Sequence, residues 1–338
     1  MIKAGAHGSG DGTCVAGPHP AHHDGARLNP FGREFAGYFR SIGGHRSMVR
    51  TLRAVPGAGG RTTSQNGGMT LDFRPDLYRG TADYYDRYRP PYPDALIDDL
   101  VRRTGADGTG SLLDLACGTG HACFALRGWF AEIWAVDQEP EMISLVRHKA
   151  AALADPPRFA FRTEAAENLA APEDSFDLVT IGNAFHRLPR DVIAAKVLHW
   201  LRPGAHLALL WPGSPNDGDA PWQQALQEQM RRWLQRPGAE QRLPAGYQAD
   251  RAARPDLDIL RAAGFEIAGR REFAVSLVWT AAEIAGFVAS TSILSPGALG
   301  PNAAAFDVSL RQVLLEAEPA GQFRQDTTFA CDLARRPD

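Results

Sequence analysis

Lysine is nearly absent from this chain, which holds only Lys3, Lys149 and Lys196 among its 36 lysine and arginine residues. The formal net charge is −3 at pH 7, so the chain as a whole lacks the positive field that attracts nucleic acid or an anionic membrane. No apolar run reaches the length of about 18 residues that a membrane helix needs. The N-terminus also lacks the apolar core of a secretory signal. We therefore expect no nucleic-acid partner and no membrane association.

Cysteine is also scarce, since the chain has four cysteines and none of them forms a CxxC pair. This excludes a disulfide-stapled scaffold and favours a reducing, cytoplasmic location. The histidines of "HPAHH" at 19–23 lie in a segment without regular structure, where histidine clusters rarely form a defined site. The sequence therefore predicts no metal centre.

Regular hydrophobic periodicity is missing from residues 1–68, which contain 15 of the 34 glycines and carry a charge of +5 (8 basic, 3 acidic). Such a segment buries too little apolar surface to offset its ordering entropy, so we interpret it as a disordered leader. A transit peptide is the alternative, because 35–71 contains arginine and no acid. Residues 69–338 are predicted to form the folded domain.

Beyond residue 110, apolar β-rich runs alternate with helical patterns. Strands are predicted at 111–115, 132–136, 158–162, 176–181, 205–211, about 265–275 and about 326–333. Helices are predicted at 120–127, 140–153, 190–201, 221–236, 256–263, about 280–290 and 302–316, and another precedes this region between Pro93 and Gly105. This order predicts an α/β fold, a doubly wound seven-stranded mostly parallel sheet, in which a helical lid at about 280–317 is inserted before the last strand.

The turn "ACGTG" at 116–120 directly follows the first predicted strand. Its glycines allow backbone N–H groups to approach a ligand closely. A dinucleotide fingerprint needs a third glycine and a triphosphate loop needs a lysine, and this stretch has neither. The sequence therefore favours an adenosine-type ligand without a pyrophosphate.

Asp137 ends the second predicted strand, 23 residues after Asp114. A carboxylate at this position can accept hydrogen bonds from both hydroxyls of a ribose, each worth roughly 1.5–3 kcal/mol. The alternative is that Asp137 only caps the helix that opens at Pro140. Position alone leaves both interpretations open.

The motifs "DLACGTG", "AVDQEPEMI", "AAENL", "DSFDLVTIGNAFH" and "LRPGAHLALL" follow one another in this order. In this order they resemble the class I S-adenosylmethionine-dependent methyltransferases, specifically the type 11 branch that acts on small molecules. The resemblance covers residues 84–211, the expected cofactor core. It implies S-adenosyl-L-methionine as cofactor and methyl transfer to O, N or C of a small-molecule acceptor.

The resemblance also implies roles for the matching residues. The turn would lie under the methionine part, Asp137 would hold the ribose, and aromatic residues of "YYDRYRPPYP", Tyr88 among them, would cover the cofactor. The implied cofactor-binding residues are Asp114, Ala116, Gly118, Gly120, Asp137, Gln138, Met142, Ala166, Glu167, Asn183, Tyr85 and Arg89. The sequence departs from the family at Ala165, where relatives often have Asp or Asn, and at Arg187, where they often have Trp.

His186 is the candidate general base, because it follows the fourth strand at the edge where the methyl group should lie. The alternative is that it only packs near the cofactor. The acceptor pocket is expected to include Trp279, Phe287, Ser290, Thr291 and Phe306.

Two other functions remain open, a non-catalytic S-adenosylmethionine-binding regulator and a nucleic-acid methyltransferase. The latter is disfavoured because "GNAFH" replaces the Pro-Pro-aromatic motif of many amino-directed enzymes.

Overall fold

The computed structural model describes residue 71 and residues 73–236 and 242–338. The predicted leader at 1–68 lies outside the described residues. Among the helices in the described part, none combines the length and apolar character needed to cross a bilayer.

A seven-stranded sheet forms the centre of the fold, with the spatial order β3-β2-β1-β4-β5-β7-β6. The first five strands in this order pair in parallel, and β7 pairs antiparallel with both β5 and β6. The strands are β1 (Ser111–Leu115), β2 (Glu132–Asp137), β3 (Arg158–Thr163), β4 (Phe176–Gly182), β5 (Leu201–Trp211), β6 (Glu266–Trp279) and β7 (Phe323–Arg335). The predicted doubly wound, mostly parallel sheet is confirmed.

Eleven α-helices occur among the described residues. They are α1 (Ala82–Tyr88), α2 (Asp94–Thr104), α3 (His121–Leu126), α4 (Pro140–Ala151), α5 (Arg190–Trp200), α6 (Pro221–Leu234), α7 (Tyr247–Ala253), α8 (Asp256–Ala263), α9 (Ala281–Ala289), α10 (Pro296–Leu299) and α11 (Ala303–Ala317). Short 3-10 helices occupy Arg127–Trp129, Phe185–Arg187 and Gly300–Asn302.

The sheet is covered on both faces, and β1 shows why its sequence is apolar nearly throughout. Leu112 packs on one face with residues of α2, α3 and α4, whereas Leu113 and Leu115 pack on the other with residues of α5 and α8. Side chains alternate along a strand, so a strand buried on both faces needs apolar residues at successive positions. This packing leaves the carboxyl ends of the parallel strands as the edge where a ligand can enter.

Three short helices and the full lengths of the last two strands were missing from the sequence prediction. Helices α1 and α7 span only seven residues each and α10 spans four, too few for a helical period to stand out. Strands β6 and β7 extend beyond the predicted 265–275 and 326–333, because they pair with each other from Glu266 to Trp279 and from Phe323 to Arg335.

Helices α9, α10 and α11 lie between β6 and β7, as predicted for the inserted segment. The aromatic residues expected in an acceptor pocket, Trp279, Phe287 and Phe306, are instead buried in a cluster with Trp222 and Trp233 of the adjoining segments. Ring centroids lie 5.8 Å apart for Trp279–Phe287 and 5.3 Å apart for Trp233–Phe306. These aromatics form a core, and the function of the insertion as a lid stays a prediction.

A buried arginine ties α5 to the segment of α7 and α8. The Arg190 guanidinium contacts the carboxylates of Asp250 and Asp256, at 2.7 Å for Asp256, and all three side chains are at most 9% exposed. It also donates a hydrogen bond to the carbonyl of Arg254. Taking charged groups out of water is costly unless each is paired, so the arginine and the two carboxylates stabilise the fold only when all three are present.

Replacing Arg190 by methionine should lower the free energy of unfolding by about 3–5 kcal/mol, because one buried carboxylate loses its ion-pair partner and the other keeps only a second arginine at 3.7 Å. The exposed pair Arg261–Asp258 provides a matched control, and Arg261→Met should cost no more than about 1 kcal/mol. Urea unfolding followed by tryptophan fluorescence measures both. Equal effects of the two substitutions would contradict the assigned role of Arg190.

Candidate cofactor site

A cleft of about 800 Å³ opens at the carboxyl ends of β1, β2 and β4. Its wall is built from strand-end turns and from a segment that precedes α1. The lining residues are Phe73, Arg74, Leu77, Tyr78, Tyr85, Ala116, Gly118, Asp137, Gln138, Glu139, Met142, Glu164, Ala166, Glu167, Gly182, Asn183, Ala184, Arg187 and Leu188. A smaller hollow shares Tyr85, Ala116 and Gly182 with the cleft and adds Arg89, Asp114 and others.

The structure brings most of the predicted cofactor residues together. In the cleft lie Ala116, Gly118, Asp137, Gln138, Met142, Ala166, Glu167, Asn183 and Tyr85, and in the hollow Asp114 and Arg89. These residues follow four different strands or belong to α1. The predicted set is thus contiguous in space, although it spans about a hundred residues of sequence.

Left-handed backbone occurs at two non-glycine residues that line the cleft, Ala116 (φ 56°) and Asn183 (φ 49°). Each directly follows the end of a strand, β1 or β4. This conformation costs roughly 1–2 kcal/mol for residues with a Cβ and clusters at functional sites. It turns the chain sharply at the strand ends, where backbone groups can face a ligand.

Gly118 and Gly120 have different reasons to be glycine. Both have positive φ, 54° and 84°. A Cβ on Gly118 would come 3.6 Å from the Tyr85 ring at the cleft, an ordinary contact. A Cβ on Gly120 would lie 2.9 Å from the Phe124 ring and 3.2 Å from Val146. Gly120 is not among the residues that line the cleft, and its missing side chain makes room for packing, so its contact with the cofactor stays a prediction.

Asp137 holds the glycine turn in place. Its Oδ2 accepts a hydrogen bond from the Gly118 N–H at 2.8 Å, and its Oδ1 accepts one from the Glu139 N–H at 2.9 Å. Burial raises the pKa of the Asp137 carboxyl, and these backbone N–H groups oppose that rise. Each carboxylate oxygen can accept more than one hydrogen bond, so both retain capacity for ligand hydroxyls.

Asp114 acts from beneath the turn. Its Oδ1 accepts a hydrogen bond from Thr180 Oγ1 at 2.8 Å, and its Oδ2 accepts one from the Cys123 N–H at 3.2 Å. Burial raises the pKa of Asp114 to about 6, against these hydrogen bonds. Asp114 therefore joins β1, β4 and the first turn of α3, and it borders the hollow with what remains of its surface.

Tyr85 and Arg89 cover the site from α1 and its C-terminal end, as the sequence predicts. The Arg89 guanidinium carbon lies 4.9 Å from the Tyr85 ring centroid and 4.1 Å from that of Phe287, and Nε donates a hydrogen bond to Ser290 Oγ at 2.8 Å. Tyr88 is not among the residues that line the cleft, and its predicted contact with the cofactor stays a prediction. Tyr88 packs so closely on Gly286 of α9 that a Cβ there would lie 2.3 Å from its ring.

His186 lies outside the residues that line the cleft. Its side chain is buried, with its ring centroid 5.9 Å from Trp211 and 6.3 Å from Tyr247. Burial holds the pKa of His186 well below its usual range, and the charges of Arg251 and Arg187 lower it further. The imidazole is therefore neutral at pH 7 but a weak base, and its role as the general base stays a prediction.

Sequence reasoning missed several lining residues. Phe73, Leu77 and Tyr78 precede α1 in a stretch without helical or strand period, so no pattern indicated their return to the sheet edge. Glu139 and Glu164 follow β2 and β3, and their positions at strand ends were the available signal. Arg187 was noted only as a departure from the resembled family. Among the described residues, no group of histidine, cysteine or acidic side chains is placed to hold a metal.

Residues 112–204 match a family model described as "Methyltransferase domain". An uncharacterized methyltransferase of Mycobacterium bovis is 33% identical over 127 residues, which cover 38% of this chain and 48% of its own length. An uncharacterized methyltransferase-like protein of Schizosaccharomyces pombe is 29% identical over 139 residues, covering 41% and 51%. The chain spans about half the length of the curated relatives it matches.

A probable S-adenosylmethionine-dependent methyltransferase of Saccharomyces cerevisiae is 28% identical over 141 residues, or 41% of this chain and 47% of its own length. The residues matched by the family model contain the glycine turn, Asp137 and the turn after β4. The family match and the site geometry agree with the order of motifs in the sequence. Over residues 112–204 this chain is therefore similar to the class I S-adenosylmethionine-dependent methyltransferases of the type 11 kind.

Proposed function

We propose that this chain transfers a methyl group from S-adenosylmethionine to O, N or C of a small-molecule acceptor. The observation that carries the proposal is the position of the Asp137 carboxylate, which lines the cleft while it fixes the adjacent glycine turn. The carboxylate offers hydrogen-bond acceptors to a ribose. The glycine turn offers exposed backbone groups to the methionine part that is attached to this ribose. The matched family adds independent support.

The residues present fit this cofactor. Asp137 would bind the ribose hydroxyls, the turn at Ala116 and Gly118 would lie along the methionine part, and Met142 and Ala166 would border the adenine. The bound cofactor supplies an activated methyl group on a positively charged sulfur. Four carboxylates line the same cleft, those of Asp137, Glu139, Glu164 and Glu167, and their field favours a cationic ligand.

The protein's contribution to such a transfer is alignment and exclusion of water. Holding two reactants in line can lower the barrier by roughly 7–11 kcal/mol in favourable cases. Tyr85 and Arg89 cover the turn from one side, and Phe73 and Tyr78 close the cleft from another. A cleft bordered by these rings suits a small molecule better than a polymer.

The direct test measures S-adenosylhomocysteine formation by mass spectrometry, with the full chain, S-adenosylmethionine and a panel of small acids, phenols and amines. Turnover on members of the panel is expected. Tight S-adenosylmethionine binding without turnover on any acceptor would instead support a non-catalytic regulator. Absence of S-adenosylhomocysteine binding in calorimetry would contradict the proposed cofactor site.

Asp137→Ala should raise the dissociation constant of S-adenosylhomocysteine about a hundredfold, because two charge-assisted hydrogen bonds to the ribose are lost. Titration calorimetry gives the constant. Asp258→Ala, at an exposed carboxylate of α8, serves as control and should leave it unchanged. Since Asp137 also holds Gly118, thermal unfolding of the variant must be measured in parallel. An unchanged dissociation constant in a folded Asp137→Ala variant would refute the ribose role.

His186→Phe separates packing from proton transfer. The imidazole stacks near Trp211, and its Nδ1 has no hydrogen-bond partner among the described residues, so an aromatic ring of similar shape should be tolerated. We expect turnover within about threefold of the parent chain, whereas loss of a general base would lower it by about 10²–10⁴. A loss of that size, at unchanged S-adenosylhomocysteine affinity and unfolding temperature, would establish His186 as the base.

A further inference from the structure

Arg187 lies in the cleft wall, and its guanidinium has no ion-pair partner among the described residues. It ends the 3-10 helix Phe185–Arg187 that follows β4, and it lines the cleft. Its Nε and Nη1 are buried, yet neither has a hydrogen-bond acceptor among the residues that the structure describes. No carboxylate in that part of the chain lies within 4 Å of its guanidinium.

Other arginines near the site are satisfied. Arg74, which also lines the cleft, donates from Nε and Nη2 to Asp76 at 3.0 and 2.8 Å. Arg89 donates to Ser290, and Arg190 contacts Asp250 and Asp256. A buried donor left without an acceptor costs free energy, so such donors are nearly always paired. The missing acceptor for Arg187 is expected to come from the ligand.

Aromatic rings surround this cation. The guanidinium carbon of Arg187 lies 5.8 Å from the ring centroid of Phe73 and 5.7 Å from that of Tyr78. Leu77 and Leu188 add apolar surface to the same wall. A guanidinium presents a planar fork of donors that matches a carboxylate, and the flanking rings suit a flat apolar body.

Charges are divided within the cleft. The carboxylates of Asp137, Glu139, Glu164 and Glu167 follow β2 and β3, whereas Arg187 follows β4. The acidic part suits a cationic cofactor and would repel an anion. The part around Arg187 has the opposite preference. One cleft can thereby hold a cation and an anion side by side, in a fixed order.

We propose that Arg187 binds the carboxylate of the methyl acceptor, and that the acceptor is a small organic carboxylate with a flat, apolar body. The proposal rests on the function proposed above and names the substrate class of that site. Because the cofactor itself carries a carboxylate, the test must separate the two sources of this group.

The test uses the full chain and four probes in titration calorimetry. S-Adenosylhomocysteine reports the whole cofactor, and 5′-methylthioadenosine reports the same nucleoside without the carboxylate. Cinnamate, compared with its neutral amide in the presence of S-adenosylhomocysteine, reports the acceptor carboxylate. The variant is Arg187→Gln. Arg261→Gln removes the same charge from an exposed helix and serves as control.

Cinnamate should bind the parent chain more tightly than cinnamamide, and Arg187→Gln should weaken cinnamate about tenfold or more while leaving cinnamamide and both nucleosides unchanged. Arg261→Gln should change none of the four. The thermal unfolding temperature shows whether Arg187→Gln is folded, and Arg187→Lys, which keeps the charge but not the fork, should recover only part of the loss.

Three results would overturn the proposal. If Arg187→Gln binds S-adenosylhomocysteine more weakly but 5′-methylthioadenosine as before, Arg187 binds the cofactor carboxylate. If the variant binds both nucleosides more weakly, Arg187 binds the nucleoside. Equal affinity for cinnamate and cinnamamide in the parent chain would remove the carboxylate preference. Failure of S-adenosylhomocysteine to bind the parent chain would refute the proposed function itself, which distinguishes the two failures.

Discussion

The carboxylate of Asp137 is the contact on which the candidate site depends. It joins the end of β2 to the glycine turn after β1 through the Gly118 N–H, and to the start of α4 through the Glu139 N–H. A second bond between the same turns, from the Cys117 N–H to the Val136 carbonyl at 2.9 Å, acts in parallel. Asp137 thus shapes the surface that would receive a ribose before any ligand arrives, so little ordering is left for binding to supply.

Asp114 shows the cost of this arrangement. A carboxylate that is 1% exposed is destabilised in its charged form, and its pKa of about 6 reflects that burial. Its hydrogen bonds to Thr180 and Cys123 return part of the energy by joining β4 and α3 to β1. The strand-end geometry at the cleft, including left-handed Ala116, depends on this buried frame. The buried Asp114 carboxylate therefore costs stability, and the turn above it keeps backbone groups exposed to a ligand.

Much of the fold could be predicted because strands that are buried on both faces have continuous apolar sequences. The boundaries of β1, β2 and β4 agree with the sequence prediction to within one residue, and the turns that follow them contain five of the twelve predicted cofactor residues. The features that the sequence does not show have physical causes. Gly120 belongs to the motif, and the Phe124 ring occupies the space of its missing side chain, which only the folded structure shows. Residues 73–78 also reach the cleft, but their sequence has no helical or strand period from which this position could be predicted.

The two parts of the cleft therefore differ in how the sequence encodes them. The cofactor part is made largely of backbone at strand ends, where the fold itself fixes each position. The part around Arg187 is made of side chains from Phe73, Tyr78 and Leu188, which belong to segments more than a hundred residues apart. Sequence motifs report the first because strand and turn patterns are local. They miss the second because its chemistry exists only after folding has brought these segments together, so a change at position 187 can alter the acceptor while the cofactor part keeps its shape.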